Sequence, residues 1–158
     1  MLAVVDISED TDDDNELHDF AEYFSPPRIA PVCVQLGLVA CMSLDVSNGH
    51  DFNVMTGREV AYRGLDTHKP LVIHLSPPCR MFSHLMHLNR KHFADEQWAR
   101  GMAESVRLLR FAIHLATVQM TQGRYFTFEH PQRATSWNDE HARRLAAHPS
   151  LEKITFDQ

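Results

Sequence analysis

Two side chains in this chain stand where they could react: a thiol at Cys79 and a carboxyl at Glu129. Cys79 lies in the run Leu71-Val72-Ile73-His74-Leu75-Ser76-Pro77-Pro78-Cys79-Arg80-Met81-Phe82-Ser83. The apolar start reads as a buried strand. Proline has no N–H to give to a sheet ladder, so the strand must end before Pro77 and the thiol must sit on the loop beyond it. In an open α/β sheet, ligands and chemistry collect on loops at the carboxyl ends of strands. A thiolate placed there is a nucleophile that can also leave again. Cys33 and Cys41 lack this setting. Cys33 falls on an apolar helical face and Cys41 in an apolar strand-like run, where cysteine behaves as a small hydrophobe.

Glu129 follows a second apolar run, Tyr125-Phe126-Thr127-Phe128, and opens Glu129-His130-Pro131. If the two strands are parallel, their carboxyl ends lie on one edge of the sheet, and thiol and carboxyl face one ligand. His84, His87 and His92 follow Cys79 closely. They lack the second clustered pair that structural zinc prefers, so no metal is expected. Arg80, Arg90 and Lys91 flank the same loop and suit phosphates, or simply a solvated basic edge. Trp137 is expected to anchor packing rather than stack on a base.

The elements that must position these groups follow from apolar spacing and turn residues. Phe20 to Phe24 reads as a strand closed by Ser25-Pro26-Pro27. A helix is expected from Arg28 to Leu36, with Pro31 in its first turn and Gly37 as its stop. Leu38 to Val46 is a second strand, followed by a turn at Ser47-Asn48-Gly49-His50. Residues 56–66 form a short helix with a poor pattern. Trp98, Met102, Val106, Leu109, Ile113, Ala116 and Met120 mark one face of a long helix that begins at Asp95-Glu96 and ends at Gly123. Asp139 to His148 is another helix, and Ile154 to Phe156 a last strand. Strands alternating with helices imply a mostly parallel sheet with right-handed crossovers.

At 158 residues the chain suits one domain. Its net charge of −6 is unevenly spread. Residues 1–22 hold nine Asp or Glu and no Lys or Arg, and the remainder is mildly basic. Residues 1–19 are therefore expected to be an acidic, disordered lead-in, and residues 20–158 the folded domain. Three unpaired cysteines and no apolar run of membrane length point to an intracellular protein, cytoplasmic or nuclear, with no membrane partner.

In order along the chain, Glu22-Tyr23-Phe24-Ser25, Asp45, Asp51 in Gly49-His50-Asp51-Phe52, Pro78-Cys79-Arg80-Met81-Phe82-Ser83 and Glu129 resemble the motifs of the DNA (cytosine-5)-methyltransferases. The resemblance covers roughly residues 20–158, the first part of that family's catalytic domain. It implies a Rossmann-like S-adenosylmethionine-dependent methyltransferase fold, incomplete at its C-terminus. It further implies Cys79 as nucleophile and Glu129 as the acid at cytosine N3. Phe24, Ser25, Asp45, Asp51 and Pro78 would contact S-adenosylmethionine, and Arg80 and Ser83 the DNA, whose target base must be flipped out.

Three departures accompany the resemblance. Pro26 and Pro27 stand where the family uses glycines, His130 stands where it uses asparagine, and no DNA-reading segment is expected within residues 20–158. Two prolines take away amide donors and close backbone approach. Weak methyl transfer by this chain alone is therefore the expectation. A degenerate methyltransferase fold kept as a nucleic-acid or protein interaction module is the alternative.

Overall fold

The computed structural model describes residues 2–3 and 18–155. Its sheet strands are β1 (Leu2–Ala3), β2 (Phe20–Tyr23), β3 (Ala40–Leu44), β4 (Val72–Leu75), β5 (Tyr125–Phe128) and β6 (Leu151–Glu152). The helices are α1 (Ala30–Gln35), α2 (Met55–His68), α3 (His84–Leu88), α4 (Asp95–Thr121) and α5 (Glu140–Ala146). The sheet order is β3-β2-β4-β5-β1-β6. The first four strands in that order are parallel, and β1 runs antiparallel to both β5 and β6. This is an α/β fold with a parallel core sheet, compatible with a Rossmann-like arrangement. From β2 the chain moves outward to β3, then returns to β4 on the other side, so order reverses between β2 and β4. Such a reversal opens a crevice beyond the strand ends.

The two faces of the sheet are unlike. Successive strand residues point to opposite faces. Ala21, Tyr23, Ile73, Leu75, Phe126 and Phe128 join the main core with Leu109, Ala112, Leu115 and Ala116 of α4. Phe20 and Val72 belong to a small second cluster with Ala30 and Cys33 of α1. Toward the carboxyl ends of the strands that second face carries polar side chains, Ser43, Glu22, His74 and Thr127.

Local sequence explains most boundaries. Pro31 sits in the first turn of α1, and Gly37 beyond its end has φ 82°. Asp95 and Glu96 occupy the positive end of α4, and Gly123 past its last turn has φ 70°. The buried face of α4 is rotated from the expected stripe. Leu109, Ile113 and Ala116 are buried as expected, but Ser105, Leu108, Phe111, Ala112, Leu115 and Gln119 join them, while Trp98, Met102, Val106 and Met120 are only partly covered. Gln119 escapes a hydropathy reading because its amide is satisfied internally. It donates to the Pro70 and Tyr125 carbonyls at 2.7 and 3.1 Å and accepts from Arg124 Nε at 2.9 Å. That pins the end of α4 to the starts of β4 and β5.

Two other expectations shift. α2 is longer than residues 56–66, and it buries the small residues Gly57, Ala61 and Gly64 together with Leu65 rather than a regular apolar stripe. The last strand is Leu151–Glu152 rather than Ile154 to Phe156; Phe156 itself lies outside the described residues. Leu2–Ala3 belong to the sheet although they sit within the segment set apart by charge, and the acidic run of residues 4–17 lies outside the described residues. Among the described residues no helix is long and apolar enough to cross a membrane.

Candidate functional site

The loops after β2, β3, β4 and β5 all leave the sheet at its carboxyl edge, and two clefts open there. The larger, about 950 Å³, takes in Ser25, Cys79, Glu129, His130 and Trp137 and runs down over His74 and Thr127 on the polar face. The smaller, about 540 Å³, is lined by Asp45, Asp51, Phe52, Arg80 and the start of the long helix at Gln97 to Leu108. Phe24 and Pro78 border both. β4 and β5 are in register with Leu75 opposite Phe128, so the Cys79 and Glu129 loops start from paired positions.

The loop after β2 is held from beneath. Glu22 is fully buried, and its carboxylate accepts the N–H groups of Ile29 at 2.6 Å and Arg28 at 3.1 Å, and the Ser43 hydroxyl at 2.9 Å. A buried carboxylate is tolerable only with such donors. Phe24 then turns the chain with φ 62°, an unusual value for a non-glycine residue. Its ring packs edge-on against Phe52 at 4.7 Å and Phe111 at 6.0 Å. Strain of this kind persists where the surroundings enforce it, commonly at binding sites.

Asp45 and Asp51 occupy corners after β3. Asp45 accepts from the Ser47 N–H, and its own N–H donates to Asn48 Oδ1, both at 2.8 Å. Asp51 accepts from the Asn53 N–H at 2.8 Å. The Asp51 corner depends on Gly57, because a Cβ there would lie 2.1 Å from the Asp51 carbonyl oxygen. Arg58 closes the corner, donating from Nε to the Phe52 carbonyl at 2.7 Å while its guanidinium lies over Phe111.

The Cys79 loop is compact. Half-buried Cys79 precedes a single turn of 3-10 helix, Arg80–Phe82. Ser83 caps α3: its hydroxyl donates to the Arg80 carbonyl at 2.9 Å and accepts the Met86 N–H at 3.2 Å. Ser83 therefore holds the loop and lines neither cleft, whereas Arg80 is exposed at the smaller cleft. Burial pushes the Cys33 and Cys41 thiols up, which disfavours their thiolates.

The Glu129 loop is anchored by aromatic packing. Trp137 donates from Nε1 to the Pro131 carbonyl at 2.8 Å and packs on the core, the anchoring role expected of it. His130 lies among Phe82, Phe128 and Trp137, and burial pushes its imidazole down to about 4. Thr135 donates to the Phe82 carbonyl at 3.3 Å and meets His87 Nε2 at 3.3 Å, which ties the two loops together.

The polar face holds a row that, apart from Glu22, lies outside the motifs. Ser43, Glu22, His74 and Thr127 are register partners across β3, β2, β4 and β5. Each is the one strongly polar side chain in an otherwise apolar strand, at the same distance from the strand's end, and that repetition is visible in the sequence. His74 is buried, with Nδ1 2.7 Å from Thr127 Oγ1 and Nε2 2.6 Å from Ser76 Oγ. Ser76 Oγ lies 3.5 Å from Glu129 Oε2. Among the described residues no group of three or more His, Cys, Asp or Glu is placed to hold a metal ion. Compared with known proteins, the chain matches no family model, no curated protein and no solved structure.

Proposed function

We propose that this chain is a DNA (cytosine-5)-methyltransferase-like domain, in which Cys79 and Glu129 act on one cytosine and S-adenosylmethionine occupies the smaller cleft. One observation carries the reading. A thiol and a carboxyl stand on loops from paired strands in one cleft, and that cleft adjoins, at Phe24 and Pro78, a second one that bears the Asp45 and Asp51 carboxylates.

The chain's own residues account for the chemistry. Cys79 as thiolate adds to cytosine C6, and Glu129 donates a hydrogen bond or proton at N3, which takes up the charge that addition creates. C5 thereby becomes the nucleophile. S-adenosylmethionine, when bound, supplies the methyl cation equivalent that C5 takes. Loss of the C5 proton to solvent then expels the thiolate from C6. The smaller cleft is of a size usual for small-molecule sites, and Asp45 and Asp51 suit the hydroxyl and amino donors of a nucleoside. Arg28 and Lys153 on the larger cleft, with Arg80 on the smaller, supply positive charge for phosphates.

A second reading, an interaction module of the same fold, is favoured by the cofactor loop. Pro26 and Pro27 have no N–H, and the Arg28 and Ile29 N–H groups are spent on Glu22. Methyl transfer from labelled S-adenosylmethionine to cytosine-containing DNA separates the two. The methyltransferase reading expects slow transfer that Cys79→Ser abolishes and Glu129→Ala reduces about 10²- to 10⁴-fold. DNA binding without S-adenosylmethionine binding supports the interaction module.

A further inference from the structure

The row on the polar face reaches the reacting edge through one hydroxyl. His74 Nε2 meets Ser76 Oγ at 2.6 Å, and the same oxygen lies 3.5 Å from Glu129 Oε2. At the other end His74 Nδ1 meets Thr127 Oγ1 at 2.7 Å. His74 Nε2 is 3.6 Å from Glu129 Oε2, and Ser76 Oγ stands between them, close to the ring and at the outer limit of hydrogen-bond distance from the carboxyl.

We propose that His74 is a positioning residue for Glu129, acting through Ser76, and that its tautomer and the proton on Glu129 are coupled. The proposal rests on the reading above only in giving that proton a use.

The coupling follows from donor and acceptor counting. A neutral imidazole has one donor and one acceptor nitrogen, whereas a hydroxyl can do either. Burial lowers His74 from its ordinary value against the pull of Glu129 and Glu22, which favours the neutral ring. When Glu129 is a carboxylate, Ser76 donates its O–H to it. The serine oxygen must then accept from Nε2–H, and Nδ1 accepts from the Thr127 hydroxyl. When Glu129 carries a proton toward Ser76, every direction reverses. Glu129 donates to Ser76, Ser76 donates to Nε2, and Nδ1–H donates to Thr127. The two states differ by the single proton on Glu129. Both ring nitrogens face hydroxyls, which accept either direction, so the carboxyl decides.

The ionised arrangement aims a hydroxyl at Glu129 Oε2. That helps to fix the carboxyl's rotation, and it steadies the carboxylate left behind once a proton has passed to a base.

The test reads the His74 ring nitrogens by ¹⁵N spectroscopy of histidine-labelled protein at neutral pH, with the signal assigned by its loss in His74→Gln. Glu129→Gln places an amide donor against Ser76 and imitates the protonated acid. The expected result is Nε2–H in the unmodified chain and Nδ1–H in Glu129→Gln. Ser76→Ala should erase that difference, and Ser76→Thr, which keeps the hydroxyl, should restore it. The same tautomer in both Glu129 forms, or a difference that survives Ser76→Ala, overturns the proposal. Because no methyl transfer enters this measurement, coupling seen in a chain that proves inactive leaves the inference standing and counts only against the methyltransferase reading.

Discussion

The Glu22 carboxylate accepts the Ile29 N–H at 2.6 Å, and with it the loop between β2 and α1 is fastened to the sheet. The side chain that does this is fully buried one residue before the strand's end, so the loop is shaped by a charge that no ligand reaches.

Removing that charge leaves two backbone donors without their acceptor. Glu22→Ala should lower stability by about 1–3 kcal/mol for each donor left buried and unmade. Glu22→Gln should be milder in volume but still unfavourable, since its NH₂ must face N–H groups. Urea denaturation of the three proteins measures this. Equal midpoints would show that the loop does not depend on Glu22.

The same bonds leave the loop poor in donors for a cofactor. Replacing both Pro26 and Pro27 by glycine returns two N–H groups and lets the backbone approach closely. Calorimetry should then register S-adenosylmethionine affinity up to about tenfold tighter, the worth of one net hydrogen bond. Unchanged or weaker binding would mean that the prolines are not what limits the site.

His130 makes stability depend on pH. Its imidazole is lowered from 6.5 to about 4 by burial, so the unfolded chain binds the proton more readily. The stabilisation is therefore complete above pH 6.5 and lost as pH falls toward 4, at no more than about 1.4 kcal/mol per pH unit. His130→Phe, which fits the surrounding Phe82, Phe128 and Trp137 rings, should remove that part of the slope. Urea midpoints at pH 7 and pH 4.5 for both proteins check it. Identical slopes would contradict the burial of a neutral ring.

Much of the fold was legible because apolar runs and punctuating residues coincide. Tyr125–Phe128 is the strand expected from its aromatic run, and Pro77 stops β4 as a proline must. Cys79 and Glu129 were legible for the same reason: each follows a strand that its own sequence ends. The remainder was hidden by tertiary satisfaction of polar groups. Gln119 is buried within α4 against its hydropathy because its amide is satisfied internally, and α2 buries glycine and alanine beside a single leucine, Leu65. Ser83 has a helix cap to serve, which a motif does not disclose. His74 was hidden because its importance lies in register with Glu22 and Thr127, a relation among three strands that no single segment contains.

The central claim is that the Cys79 thiolate adds to cytosine C6 with Glu129 beside it. It is tested most directly by incubating the chain with S-adenosylmethionine and an oligonucleotide in which 5-fluorocytosine replaces cytosine. Fluorine at C5 cannot depart as a proton does, so the S–C6 bond stays closed after one turnover, and even a slow domain accumulates the adduct. Mass spectrometry of the denatured protein should find one methylated oligonucleotide per chain, mapped to Cys79, absent in Cys79→Ser and much reduced in Glu129→Ala. No adduct, or one mapped to Cys33 or Cys41, would contradict the account.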